Sequence, residues 1–245
     1  MSLNIGRALQ EGIARTISQA GLLLAVAWFV LGLVNQLAYN SALAGVLPDV
    51  PNQPMATLGP TLPLSPPVAG AVVFLMYLAS FVLVATALRT FVTDETRTVP
   101  GEYVTRNLGW MLANYFVGYL VFAVALWVGF LLLVVPGLLL LVSLYFWYVL
   151  VAVEDQNFVE AFRNSWSLAV GNRWQLLGLG LIVVVAGAVL YGVLFVVGSV
   201  LSPWTTLVAY AVVLAVFGVF SAATTARAYV QLADVEASGE SAAVA

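Results

Sequence analysis

The chain has 245 residues, 63% of them hydrophobic and only 8% charged, with a formal net charge of −3 and a mean hydropathy of +1.05. A soluble domain carries about a quarter charged residues, so this composition excludes a water-soluble globule and sends the surplus apolar surface into lipid. Cysteine, histidine and lysine are absent, which removes disulfides, thiolate nucleophiles, the usual metal ligands, the commonest acid–base group and Schiff-base chemistry.

The predicted fold is all-α: a polytopic membrane protein whose residues 1–230 form one domain of six transmembrane helices, arranged as three hairpins. At the N-terminus Ile5, Ala8, Leu9, Ile13 and Ile17 recur at helical spacing, opposite Arg7, Gln10, Glu11 and Arg15. The first span covers about 20–37 and holds Trp28 and Phe29. Ala42-Leu43-Ala44 resembles a signal-peptide cleavage site, but the n-region before it is long and contains Glu11, so the segment is read as a retained span. The 39–67 connection has seven prolines and no Lys or Arg, which predicts an extended, polyproline-like cover. The second span, 68–88, is uncharged and ends at Arg89. Thr93 to Asn107 is a polar connection, broken by Pro100-Gly101.

From Leu108 to Val153 the chain is uncharged for 46 residues, about 69 Å of helix. That is two spans, 108–134 and 138–153, with the hinge expected at Pro136-Gly137. Asn157 with Glu160 three residues on resembles a capping box, and Gly171-Asn172 reads as a helix C-cap. Between them Phe158, Phe162, Trp166 and Ala169 share one helical face, with Glu160, Arg163, Asn164 and Ser167 elsewhere. This predicts a short amphipathic helix at the membrane interface, its aromatics in the headgroup layer, with Arg173 and Trp174 marking re-entry. Leu176 to Ala226 is uncharged for 51 residues, again two spans, 176–198 and 204–226, broken between Gly198-Ser199 and Ser202-Pro203. Residues 231–245 read as a disordered acidic tail.

All eight basic residues are arginine: Arg7, Arg15, Arg89, Arg97, Arg106, Arg163, Arg173 and Arg227. An even number of spans separates the clusters, so all eight fall on the side of the N-terminus. The positive-inside rule makes that side the cytoplasm, with both termini cytoplasmic and the protein in the cell membrane. Lysine-free, acidic composition also resembles proteins of salt-loving archaea. No cluster has more than three arginines, short of the four to eight basic residues of a polybasic lipid site.

The stretch from Pro136-Gly137 through Tyr145, Phe146, Trp147 and Tyr148 into Glu154-Asp155 carries one half of a recognisable pattern. The other half is Phe158-x-x-Ala161-Phe162-x-x-Ser165-Trp166, followed by Gly171-Asn172-Arg173-Trp174. Together they resemble the membrane-domain family found beside glycerophosphodiester phosphodiesterases, and related stand-alone six-helix proteins. In those enzymes the resemblance implies that hydrolysis belongs to a separate soluble barrel, so it brings an architecture here and no catalytic residue.

No Asp, Glu or Arg is read as lying at mid-span, where transporters and proton relays place them. Candidate lipid or partner contacts on the interfacial helix are Phe158, Phe162, Arg163, Trp166, Arg173 and Trp174. The candidate intramembrane polar pocket is Asn114, Tyr115, Tyr119 and Tyr145, with an interhelical hydrogen bond as the plainer use of Asn114. No motif for a metal, cofactor or nucleic acid stands out, and no acid–base pair is visible. The expected function is a non-enzymatic scaffold, accessory or envelope-maintenance protein; the alternative is a carrier or channel for a lipid or other apolar solute. Expected partners are membrane lipids and another membrane protein or a second copy of the chain.

Overall fold

A computed structural model describes residues 3–46, 59–198 and 200–244, with side chains as far as Asp234. The chain is an all-α polytopic membrane protein, with no strand among the described residues. Six helices are long and apolar enough to cross a membrane. Ten helices are described: α1 (Ile5–Thr16), α2 (Gln19–Ala44), α3 (Pro66–Val92), α4 (Gly101–Thr105), α5 (Leu108–Leu132), α6 (Val134–Ser143), α7 (Trp147–Val153), α8 (Phe158–Ala169), α9 (Arg173–Gly198) and α10 (Pro203–Val244). The spans are α2, α3, α5, α6 with α7, α9, and the first part of α10.

The expected hairpins are present, but they are not simply in series. α10 packs along both α2 and α3, so the first and third hairpins interlock, and α1 lies against α10. These approaches are close because small residues permit them: a Cβ on Gly12 would sit 3.0 Å from the Thr224 Cα, and one on Gly218 would sit 2.8 Å from the Trp28 ring. The α5–α6 hairpin closes through Gly129 and Gly137, where a Cβ on Gly129 would come within 3.0 Å of the Gly137 Cα.

Burial is concentrated at the end of the bundle that carries the arginines. On α3 the fully buried run is Ala85 to Phe91, and on α10 it lies around Ala222 to Leu232. The far halves of α5, α6 and α9 leave Trp127, Leu131, Val135 and Phe195 exposed, as helices facing lipid do.

Several boundaries differ from expectation. α2 runs to Ala44 rather than ending near 37, because Asn40 and Ser41 are met by protein and not lipid. The Asn40 Nδ2 donates to the Pro60 carbonyl at 3.0 Å, and the Leu62 N–H donates to Ser41 Oγ at 2.7 Å. These bonds tie down the returning end of the proline-rich connection, whose residues 47–58 lie outside the described residues. The α5–α6 hinge falls at Leu133 (φ −167°, ψ 153°), not at Pro136-Gly137. Pro136 sits in the first turn of α6, where no backbone N–H is needed. α10 continues to Val244, so the backbone of 231–244 is helical where a disordered tail was expected. Ala, Glu and Gln favour helix, and Leu232 is buried while Gln231 Oε1 accepts from the Asn4 N–H at 3.1 Å.

The fourth span departs most from a plain helix. It breaks at Leu144–Phe146, between α6 and α7. There the Tyr145 N–H turns to the Val142 carbonyl at 3.3 Å and the Trp147 N–H to the Leu144 carbonyl at 3.4 Å. The shift leaves the Phe146 N–H without a helical acceptor and the Ser143 carbonyl without its donor.

Candidate functional site

Ser165 of α8 repairs that break. Its Oγ accepts from the Phe146 N–H and donates to the Ser143 carbonyl, each at 3.0 Å, with Ser165 and Phe146 fully buried. The face of α8 turned to the protein is therefore Ala161, Ser165, Leu168 and Ala169. Asn157 caps the helix as expected, accepting from the N–H groups of Val159 and Glu160, and Gly171 closes it with φ +82°.

The aromatics assigned to the headgroup layer divide between two roles. Phe162 packs edge-on against Trp147, ring centroids 5.3 Å apart, and Phe158 packs on Phe162. These two serve the protein interior instead, because α8 covers the broken span. Trp166 and Trp174 are exposed, and the Arg173 guanidinium lies 4.9 Å from the Trp166 ring. Arg163 is exposed as well.

The linker Glu154–Asn157, between α7 and α8, is where four spans meet. The Asp155 carboxylate pairs with Arg106 and lies 3.6 Å from the Arg89 guanidinium, and its carbonyl accepts from the Trp110 indole at 3.1 Å. The Tyr229 hydroxyl of α10 donates to Glu154. Asn114 of α5 accepts from the Phe158 N–H at 2.9 Å, satisfying one of the free donors at the start of α8.

Arg89 is the residue sequence reasoning placed wrongly. Its place after the apolar run predicts a marker for the end of the second span, yet α3 continues to Val92 and Arg89 is 2% exposed. Its Nε donates to the Ala152 carbonyl at 2.6 Å and its Nη1 to the Tyr103 carbonyl at 2.7 Å. Ala152 and Tyr103 lie at the C-terminal ends of α7 and α4, so one guanidinium caps two helices where cations are favoured. Asp155 supplies the counter-ion that lets the charge be buried.

A second cluster joins α1, α3 and α10. Arg227 donates to Glu11 at 2.6 Å and lies 3.4 Å from Asp94; Arg15 pairs with Asp94, and Arg7 with Glu11 at 2.7 Å. Asp94 and Asp155 share a local device. Each follows the C-cap of its helix in the left-handed region, with φ of 69° and 55°, a conformation that Asp tolerates. The Glu95 N–H closes back on the Thr90 carbonyl at 3.1 Å, a Schellman-type end for α3. The turn thus delivers a carboxylate to a helix C-terminus, and arginines offset its unfavourable position there. An aspartate just past a long apolar run is the sequence signal common to both.

At Glu11 burial works against the carboxylate, but hydrogen bonds from Arg7 and Arg227 outweigh it and hold the group below its ordinary value of 4.5. A depressed carboxyl stabilises the fold above its unfolded value, and that contribution is lost as pH falls through the lower, folded value. Thermal unfolding in detergent is therefore expected to weaken across that acidic window. The Glu11→Gln variant should show a shallower dependence than the parent over the same range.

Of the four candidate pocket residues, Tyr115 and Tyr119 come together, ring centroids 6.0 Å apart, while Asn114 bonds to the start of α8 and Tyr145 lies apart. Tyr115 donates to the Tyr148 carbonyl at 2.7 Å, and Tyr119 stacks on Phe81 at 5.2 Å. Trp147 fills the space among them, 4.8 Å from Tyr119, so tightly that a Cβ on Gly118 would lie 2.5 Å from its ring. Tyr145 faces α10 and meets Thr225 Oγ1 at 3.2 Å. The Asn114 amide also donates to the Trp110 carbonyl at 2.9 Å, so its polar atoms are spent on helix contacts. Among the described residues no group of His, Cys, Asp and Glu is arranged to hold a metal ion.

Comparison with known proteins places this geometry in a family. The family model for a domain of unknown function, DUF7847, matches residues 3–232, almost the whole chain and both clusters. The chain belongs to the DUF7847 family. No curated protein and no solved structure matches it.

Proposed function

We propose that this DUF7847 protein is a non-enzymatic integral membrane protein with a scaffold, accessory or envelope-maintenance role. The observation that carries this reading is the filled candidate pocket: Asn114 and Tyr115, the polar side chains that a transport path or reaction there would use, are engaged in joining helices. Asn114 and Tyr115 bond to backbone of α8 and α7, and Trp147 closes the space beside them. Meanwhile the far halves of α5, α6 and α9 present apolar surface on which a membrane partner can pack. The arginine end is taken as cytoplasmic by the positive-inside rule, and the exposed Trp166, Arg163 and Trp174 then face the inner headgroup layer. Kinship with the phosphodiesterase-associated membrane domains is part of the same proposal and rests on the 136–174 pattern alone.

The test combines two arms on the intact chain. A photo-reactive residue at Trp127, exposed on α5, is expected to capture a protein, either a second copy or another membrane protein. Purified chain in liposomes is expected to add nothing to solute flux or lipid exchange over empty vesicles. Flux above that baseline, abolished by Asn114→Leu, would overturn the scaffold reading in favour of a carrier. One feature favours that second reading, an apolar cleft between α2 and α3.

A further inference from the structure

The first and second spans do not close on each other over their whole length. A cleft of about 470 Å³ opens between them, lined by Leu23, Leu24, Ala27 and Leu31 of α2 and by Ala79, Val82, Leu83 and Thr86 of α3. Val99 and Val104, from the connection between α3 and α5, cover its arginine-side end. That volume lies within the range of ordinary small-molecule sites, about 300–1,000 Å³. Leu23 to Leu31 is about 12 Å of helix, most of the roughly 15 Å of hydrocarbon in one leaflet.

Its chemistry is that of a lipid chain with a polar end. Thr86, the one polar residue in the lining, spends its hydroxyl on the Val82 carbonyl at 2.8 Å. The roof is held in place, because the Ala20 N–H at the start of α2 donates to the Thr96 carbonyl at 2.9 Å. Next along that roof, two residues before Val99, Arg97 is exposed and has no ion-pair partner among the described residues. It contrasts with Arg15, Arg89, Arg106 and Arg227, which are all consumed in the two clusters. The N-terminal end of α2 adds a positive dipole on the same side. Glu95 and Glu102 flank Arg97, so the match is to a single phosphate within reach of one guanidinium, not to a basic field.

We infer that the α2–α3 cleft binds one acyl chain of a phospholipid from the arginine-side leaflet, with the lipid phosphate at Arg97. The site needs no transport step and goes beyond the scaffold reading, which stands or falls separately on the cross-linking and flux arms. A smaller apolar cleft of about 250 Å³, between α9 and α10 around Val213 and Phe217, provides the contrast. None of its lining residues is polar or charged.

Native mass spectrometry of the purified intact chain, titrated with phosphatidylglycerol or with the diacylglycerol of the same chains, tests this. One phosphatidylglycerol is expected to bind saturably. Ala27→Phe, which fills the cleft, should weaken that binding at least about tenfold, and Ala79→Leu on the facing helix gives a second filler if the first does not fold. Arg97→Gln should weaken phosphatidylglycerol several-fold and leave diacylglycerol unchanged, whereas Val213→Phe in the other cleft should change neither. Unchanged phosphatidylglycerol binding in a folded cleft-filling variant or in Arg97→Gln overturns the inference, as does an equal loss in Val213→Phe.

Discussion

Replacing Asp155 with Asn is expected to destabilise the protein by about 3 kcal/mol, near the lower end of the cost of stripping a buried charge of its partner. The substitution keeps a side chain that tolerates the left-handed backbone at this position, so strain is not the cause. What is lost is the anion facing Arg89, whose guanidinium is 2% exposed and has only the Ala152 and Tyr103 carbonyls left. Asp155 itself is partly exposed, with a side-chain accessibility of 19%, which is why the expected cost lies at the low end. Arg89→Met combined with Asp155→Asn removes both charges. The double variant should therefore fall short of the sum of the two single losses by about 0.5–3 kcal/mol. Unfolding of the detergent-solubilised chain reads all three variants. A loss below about 0.5 kcal/mol for Asp155→Asn would place it among ordinary surface substitutions and remove Arg89 from the centre of the account.

Ser165→Ala is expected to cost about 2–4 kcal/mol, because one hydroxyl serves two buried backbone groups and each unmet group costs about 1–3 kcal/mol. No other acceptor is offered to the Phe146 N–H, since the Val142 carbonyl is already taken by Tyr145. Ser167→Ala, two residues along and exposed, is the control and should change stability by less than about 0.5 kcal/mol. Hydrogen exchange at Phe146 separates this account from a simple packing defect. Its amide should become the most accelerated in the fourth span of the Ser165→Ala variant.

These two sites also mark what could be read from the sequence. The six spans were legible because 46 and 51 uncharged residues run without interruption and apolar length alone decides a crossing. Asn157 and Gly171 were legible for the same kind of reason, since a cap is a local bond and a left-handed C-cap is a local backbone state. The break at Leu144–Phe146 was not legible. No Gly or Pro stands there, and the interruption is tolerated only because Ser165 arrives from α8. Pro136-Gly137 misled for the converse reason, a proline in a first turn being compatible with helix.

Arg89 shows the limit most plainly. An arginine at the end of an apolar run looks the same in sequence whether it snorkels to water or turns inward. The choice is made by carbonyls 63 and 14 residues away, at Ala152 and Tyr103, which no local pattern connects to it. The polar pocket was half legible: Tyr115 and Tyr119 share one helix and do converge, and Asn114 makes the interhelical bond to α8. Tyr145 sits across the span break, and the altered turn there swings it toward Thr225. Trp147, the side chain that fills the space, stood in an aromatic run that gave no sign which ring would point inward.

The arginine clusters thus act as clamps first: Arg7, Arg15, Arg89, Arg106 and Arg227 all sit in ion pairs that fasten α1, α3, α4, α7 and α10 at one end of the bundle. The orientation proposed for that end follows from the positive-inside rule, and accessibility from either side of the membrane tests it directly. The chain has no cysteine, so Ser65→Cys before α3 and Ser167→Cys on α8 each give a single exposed thiol at opposite ends. With an impermeant thiol reagent on intact cells, Ser65→Cys should label and Ser167→Cys should label only after permeabilisation. Labelling of Ser167→Cys in intact cells, with Ser65→Cys protected, would contradict a cytoplasmic clamp.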